Sequence, residues 1–336
     1  MEPKELLRCL KFAIPNRFPI LIKGAPGVGK TEIVKRACQD LETDLIISHP
    51  VVSDPTDYKG LPFPSADGTT ATFLPFGDLN KLIASNRPTV FFLDDLGQAS
   101  ASVQAAGMQL ILGRQINGHK VPDNVTFLAA TNRREDKAGV MGILEPVKSR
   151  FAAIVELKTS VEDWTEWAID NDMPHELIAF IKFRPTLLHN FEATSDIVNT
   201  SCPRTVAYVG YMLKKKMPKS IMLDLCTGAT GEEFAIEFIS FMNLYTNVPE
   251  ITEIIKDPDK IEIPEEPSML YAISSAISYS ITLKNYKPLF TFINRLPSEF
   301  QTMTVHDMVR KNNDIVETKA YTEWIGQNSD FLSENF

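Results

Sequence analysis

Five short runs of apolar, β-branched and aromatic residues recur through the first half of the chain: PILIK (19–23), DLIIS (44–48), TVFFLDD (89–95), NVTFLAAT (124–131) and AAIVEL (152–157). They are continuously apolar rather than alternating, the pattern of strands buried on both faces of a parallel sheet. Between them, KTEIVKRACQDL (30–41), DLNKLIAS (78–85) and SVQAAGMQLILG (102–113) space apolar residues as helices do. Strand and helix signals in alternation predict an α/β fold with a doubly wound parallel five-stranded sheet. Two segments interrupt the alternation. LPFPSADGTTATFLPF (61–76) turns at Asp67-Gly68 and RQINGHKV (114–121) turns at Asn117-Gly118. Both dipeptides favour the primed turns of tight hairpins.

From about residue 160 the pattern is helical, with no further convincing strand. PRTVAYVGYMLKKKM (203–217) opens with Pro at a first helical turn, and GEEFAIEFISFMNLY (231–245) repeats apolar residues at helical spacing. DPDKIEIPEEPS (257–268) is acidic, holds three prolines and reads as a linker or extended connection. MLYAISSAISYSITL (269–283) reads as helical core. The expected organisation is an α/β core over 1–158, an all-α lid over 159–256 and a C-terminal helical extension over 257–336.

Composition narrows this picture. The 336 residues are 44% apolar and 23% charged, with a formal net charge of −9. That charge argues against a surface that coats nucleic acid, while leaving a local basic groove open. Cys9, Cys38, Cys202 and Cys226 are scattered, without metal-ligand spacing, and fit a reducing cytosol. MEPKELLRCLKFAI (1–14) interleaves charged and apolar residues, unlike a signal peptide, and no run is long enough to span a membrane. A cytoplasmic location is expected. The five histidines show no metal spacing and read as structural or exposed. The basic run KKKMPK (214–219) falls at a helix C-terminus, where cations offset the dipole.

The chemistry concentrates after the first apolar run. Gly24, Ala25, Pro26, Gly27, Val28, Gly29, Lys30, Thr31 and Glu32 match G-x-x-x-x-G-K-[ST] between a strand and a helix. Glycines let backbone N–H groups approach phosphates. Lys30 reaches the β- and γ-phosphates, Thr31 offers its hydroxyl to Mg²⁺, and the helix presents its positive end. The expected ligand is ATP with Mg²⁺. The strand TVFFL ends in Asp94, placed to hold Mg²⁺, and Asp95, placed to orient the attacking water. Asp95 is one methylene shorter than the Glu many such enzymes carry. The strand VTFLAAT ends at Asn132, whose amide suits both the γ-phosphate and the water. Arg150 lies in EPVKSRF and Arg204 in TSCPRTVAYV.

In this order the motifs resemble those of AAA+ ATPases. The resemblance implies that Asn132 is sensor 1, Arg150 an arginine finger acting on a neighbour's nucleotide (with Lys148 as the alternative finger) and Arg204 sensor 2. It also implies a ring, usually a hexamer. Within that class HPVVSDPTDYKGLPF (49–63), NGHKVPDNVTFLAATN (117–132) and the helical region after SRF resemble the MoxR family, over about residues 15–245. Asp95 for the usual Glu, and KSRF without the Asp common before Arg-Phe, depart from that pattern. The resemblance implies chaperone-like remodelling or activation of a protein client, with a partner bearing a von Willebrand factor A domain. Similar short forms occur in bacteria and phages. In a ring, His119 and Lys120 on the NGHK hairpin would face the pore; in the plainer reading they sit on a solvated turn. Two rival expectations are a nucleic-acid-associated clamp or helicase loader, and an ATP-binding scaffold with little turnover.

Overall fold

The computed structural model describes residues 1–136, 142–194, 196–245 and 248–335. They divide into two compact units, one of residues 1–160 with 192–195, the other of residues 161–191 and 196–336.

The first unit contains β1 (Ile20–Lys23), β2 (Asp44–Ser48), β3 (Leu61–Pro64), β4 (Ala71–Leu74), β5 (Thr89–Leu93), β6 (Gln115–Ile116), β7 (His119–Lys120), β8 (Val125–Thr131) and β9 (Ala153–Glu156). Its helices are α1 (Pro3–Ala13), α2 (Lys30–Asp40), α3 (Pro55–Lys59), α4 (Gly77–Ile83), α5 (Ala101–Gly113) and α6 (Glu145–Lys148). The five expected strands form one parallel sheet in the order β2-β5-β8-β1-β9. Successive side chains of a strand point to opposite faces. Ile20, Ile22, Val90, Phe92, Leu128 and Ala130 therefore join one core with Leu6 and Leu10 of α1 and Val34 and Ala37 of α2. Leu21, Phe91, Leu93, Phe127 and Ala129 join a second core with Leu79 and Leu82 of α4 and Val103, Ala106 and Leu110 of α5. Serving two cores is why these runs are apolar throughout. The parallel arrangement brings the carboxyl ends of β1, β8 and β5 side by side, the edge at which open α/β sheets bind ligands.

The two hairpins differ. In β6–β7, Asn117 (φ 48°) and Gly118 (φ 88°) are both left-handed and close a tight primed turn, as the dipeptide predicts. In β3–β4 the tight turn at Asp67-Gly68 does not form. A wider loop runs from Ser65 to Thr70, and only Gly68 (φ 69°) is left-handed. The Asp67 carboxylate instead accepts from Ser65 Oγ (2.6 Å) and Thr69 Oγ1 (2.8 Å), an Asx-type arrangement that competes with the primed turn.

The second unit is built from helices α7 (Val161–Asp170), α8 (His175–Phe183), α9 (Pro203–Lys214), α10 (Lys219–Thr230), α11 (Glu232–Tyr245), α12 (Ile251–Lys256), α13 (Pro267–Ser280), α14 (Tyr286–Ile293), α15 (Ser298–Lys311) and α16 (Lys319–Asn335). One apolar core gathers α7, α8, α9 and α11, including Phe180, Phe234 and Phe238, with Ala272 of α13. Another gathers α12 to α16 around Leu289, Phe292, Met308 and Trp324. Charged groups tie α15 to α7 and α8: Arg310 meets Glu166 and Asp170, and Lys182 meets Asp307 at 2.5 Å.

Candidate functional site

Main-chain geometry explains the glycines of the loop after β1. Gly24 N–H donates to Thr131 O (3.2 Å), continuing the β1–β8 ladder, and a Cβ on Gly24 would stand 3.0 Å from Leu157 O. Gly27 (φ 74°) and Gly29 (φ 100°) are left-handed, and Gly29 is the N-cap of α2. The loop thus delivers the first turn of an 11-residue helix to the sheet's carboxyl edge, where its N–H groups and dipole favour an anion.

Side chains from the start of α2 and from the ends of β5 and β8 meet there. Lys30 is 7% exposed, and its Nζ donates to Gly24 O (2.9 Å), Ala25 O (2.9 Å) and Asn132 Oδ1 (2.7 Å). Asn132 Nδ2 reaches Asp95 Oδ1 at 3.4 Å. Thr31 Oγ1 donates to Asp94 Oδ2 at 2.8 Å. Behind the acids, Asp94 N–H donates to Ser48 O (2.9 Å) at the end of β2, and Ser48 Oγ is 2.8 Å from the buried Tyr58 hydroxyl. Asp95 is left-handed (φ 59°) and opens the 3-10 turn Leu96–Gln98. A Cβ on Gly97 would overlap Thr131 Oγ1, so a glycine is needed for this turn to lie flat against β8.

This donor set fits a nucleoside triphosphate with Mg²⁺. Lys30 and the start of α2 are cationic, and the acceptors of Lys30 in these bonds are two main-chain carbonyls and a carboxamide. Phosphate oxygens can replace these. Thr31 and Asp94 supply two oxygens of the kind Mg²⁺ takes, with its other positions left to water and phosphate. The remaining loop residues serve as scaffold: Ala25 and Val28 are buried in the core under α2, and Glu32 pairs with Lys35 at 2.7 Å on the surface.

Among the described residues, Arg150 does not hydrogen-bond to this cluster. Arg150 follows α6, its N–H donates to Val147 O (3.1 Å), and its buried Nε has no hydrogen-bond partner among the described residues. Lys148 is engaged by Glu145 at 2.5 Å. Arg204 is exposed in the first turn of α9, in the helical unit. His119 is not simply solvated: its Nε2 lies 2.8 Å from Phe73 O, and Asn117 Nδ2 donates to Lys59 O (2.8 Å). The two hairpins are therefore bonded together.

One further pair was not apparent from the sequence. Arg133, next to Asn132, holds the buried Asp136 through Nε (3.1 Å) and Nη2 (2.8 Å), while Asp136 also accepts from Arg133 N–H (3.1 Å). Hydrogen bonding to Asp136 raises the Arg133 pKa above its ordinary value. The charged run RRED after a strand end is the signal that could have found it.

Residues 20–159 match the model of the ATPase family associated with various cellular activities (AAA), so this segment is an AAA-family ATPase domain. Solved structures of similar fold include the Thermotoga maritima RuvB Holliday junction branch migration motor, 17% identical, covering 86% of this chain and 85% of that one with a TM-score of 0.40. NtrX from Brucella abortus is 11% identical, with 90% and 67% covered and a TM-score of 0.41. Neither likeness bears on activity. Among curated proteins, none matches this chain in sequence.

Proposed function

We propose that this chain is a MoxR-type AAA+ ATPase that assembles into a ring, a hexamer in the expected case, and uses ATP hydrolysis to remodel or activate a partner protein. The observation that carries the reading is the joined set Lys30–Asn132–Asp95 and Thr31–Asp94, in which phosphate-binding, metal-binding and water-orienting groups already touch. Lys30 and the N-terminus of α2 bind the phosphates. Thr31 and Asp94 hold Mg²⁺, which supplies charge neutralisation when bound. Asp95 and Asn132 orient the attacking water, Arg150 stabilises charge on the neighbouring subunit's nucleotide, and Arg204 senses the γ-phosphate.

A protein client is favoured by β3–β4. Leu61 (48% exposed), Phe63 (57%) and Leu74 (49%) share one face of this hairpin and leave apolar surface uncovered on an acidic chain. Such surface suits protein contacts rather than a phosphate backbone. By resemblance, a von Willebrand factor A domain protein is the first partner to test.

The test is steady-state ATP turnover of the purified protein, alone and with single- or double-stranded DNA at two salt concentrations, with mass determined with and without ATP. Turnover by a ring indifferent to DNA is the expected result. Strong stimulation by DNA that fades with salt would replace this reading with the loader, and assembly without turnover would replace it with the scaffold.

A further inference from the structure

Gln104 is the fourth residue of α5 and is 2% exposed. A carboxamide is costly to bury unless it is hydrogen-bonded. This one is well used: Nε2 donates to Ala99 O (3.1 Å) and Gly142 O (2.9 Å), and Oε1 accepts from Leu144 N–H (3.0 Å). The bonds reach two separate loops. Ala99 closes the turn begun by Asp95, through Gln98 N–H to Asp95 O (3.0 Å) and Ala99 N–H to Leu96 O (3.2 Å). Leu144 is the N-cap of α6 and accepts from Val147 N–H (2.9 Å) and Lys148 N–H (3.1 Å), while Val147 O accepts from Arg150 N–H (3.1 Å). Hydrogen bonds and short stretches of main chain therefore connect Asp95 to Arg150, and the side chain that joins the two loops in this series is Gln104.

We propose that Gln104 is a positioning residue that fixes the finger segment, and hence Arg150, to the turn that carries Asp95. The acid of a subunit's own site and the arginine it offers to the next subunit are then set by one carboxamide. This rests on the reading of Arg150 as a trans-acting finger. A neutral amide suits the task because it supplies two donors and an acceptor to main-chain groups without burying a charge.

The test uses two variants of the full chain. Gln104→Met keeps the length and removes all three bonds. Leu144→Pro removes the N–H that Gln104 accepts and sets Cδ against Gln104 Oε1, displacing the finger segment while Gln104 keeps its own side chain; the φ of −57° at Leu144 suits proline, so this variant carries the test where Gln104→Met fails to fold. Each should bind nucleotide as the parent does and lose turnover by about ten- to a hundred-fold, the scale of a misplaced catalytic group. Each should regain turnover when mixed with Asp95→Asn subunits, which lend an intact Arg150 from next door. Unchanged turnover in both variants overturns the proposal, as does a loss that mixing fails to relieve, since the damage then lies in the subunit's own site. Arg150→Ala mixed with Asp95→Asn is the control. Failure of that mixture removes the trans-finger reading itself, and this proposal with it.

Discussion

Two lysines largely out of solvent, one in each unit, are held in different ways. Lys182 meets a carboxylate, Asp307, at 2.5 Å, with both side chains largely out of solvent. Lys30 donates to two main-chain carbonyls and the Asn132 carboxamide. The first arrangement is closed: burial alone would raise the Asp307 pKa, but Lys182 and His306 outweigh it and hold the carboxyl below its usual range. The second is exchangeable, because amide and carbonyl oxygens bind an ammonium less firmly than phosphate does. A lysine bonded to a carboxylate within a helical bundle is part of the scaffold, whereas one bonded to main-chain and carboxamide oxygens at a helix N-terminus can serve a ligand.

Substitution at each lysine's site sharpens that contrast. Lys30→Ala should lower nucleotide affinity by about a hundred-fold or more, since charge-assisted bonds to phosphate are lost, with little change in folding. Titration with a fluorescent nucleotide measures this, and unchanged affinity would refute the phosphate site. Asp307→Ala should destabilise the helical unit by about 3–5 kcal/mol, because Lys182 is left buried without its carboxylate. Lys182→Met combined with Asp307→Leu should recover much of that loss. Trp164, Trp167 and Trp324 all lie in this unit, so denaturant unfolding followed by tryptophan fluorescence reports on it alone. If the double variant is no better than Asp307→Ala, the ion pair is not the cause.

The pH dependence should be weaker and come in two stages. Burial, opposed by Glu176, lowers the His175 pKa. The unfolded histidine takes up a proton below about 6.5 while the folded one resists it, so stability should decline as pH falls through that value. Asp307 has a depressed folded pKa, so its contribution is complete above about 3.9 and disappears as pH falls further, through the folded value. His175→Gln should flatten the first stage only. A first stage that persists in that variant would assign it to another group.

The sheet was legible because each central strand must feed two cores, which leaves no room for polar residues in runs such as TVFFL and VTFLAA. The phosphate loop was legible because only glycine serves at Gly24, where space is short, and at Gly29, where φ is left-handed. Local patterns did not reveal where side chains would go. Asp67 reads as half of a tight turn until Ser65 and Thr69 capture its carboxylate. Gln104 reads as one more polar position on a helix, since its partners at 142 and 144 are distant in sequence. α13 packs on α8, and α15 on α13 and α7, contacts between distant segments that nothing in a helical repeat names.

The bonds between the hairpins have a mechanical consequence. His119 grips the β4 main chain at Phe73, Asn117 grips Lys59, and the adjacent Tyr58 is anchored to Ser48, whose carbonyl holds Asp94. A load applied at Phe63 is thus shared by both hairpins and passed along a hydrogen-bonded path that ends at Asp94. The exposed hairpin and Asp94 are linked through six residues: Phe73, His119, Asn117, Lys59, Tyr58 and Ser48.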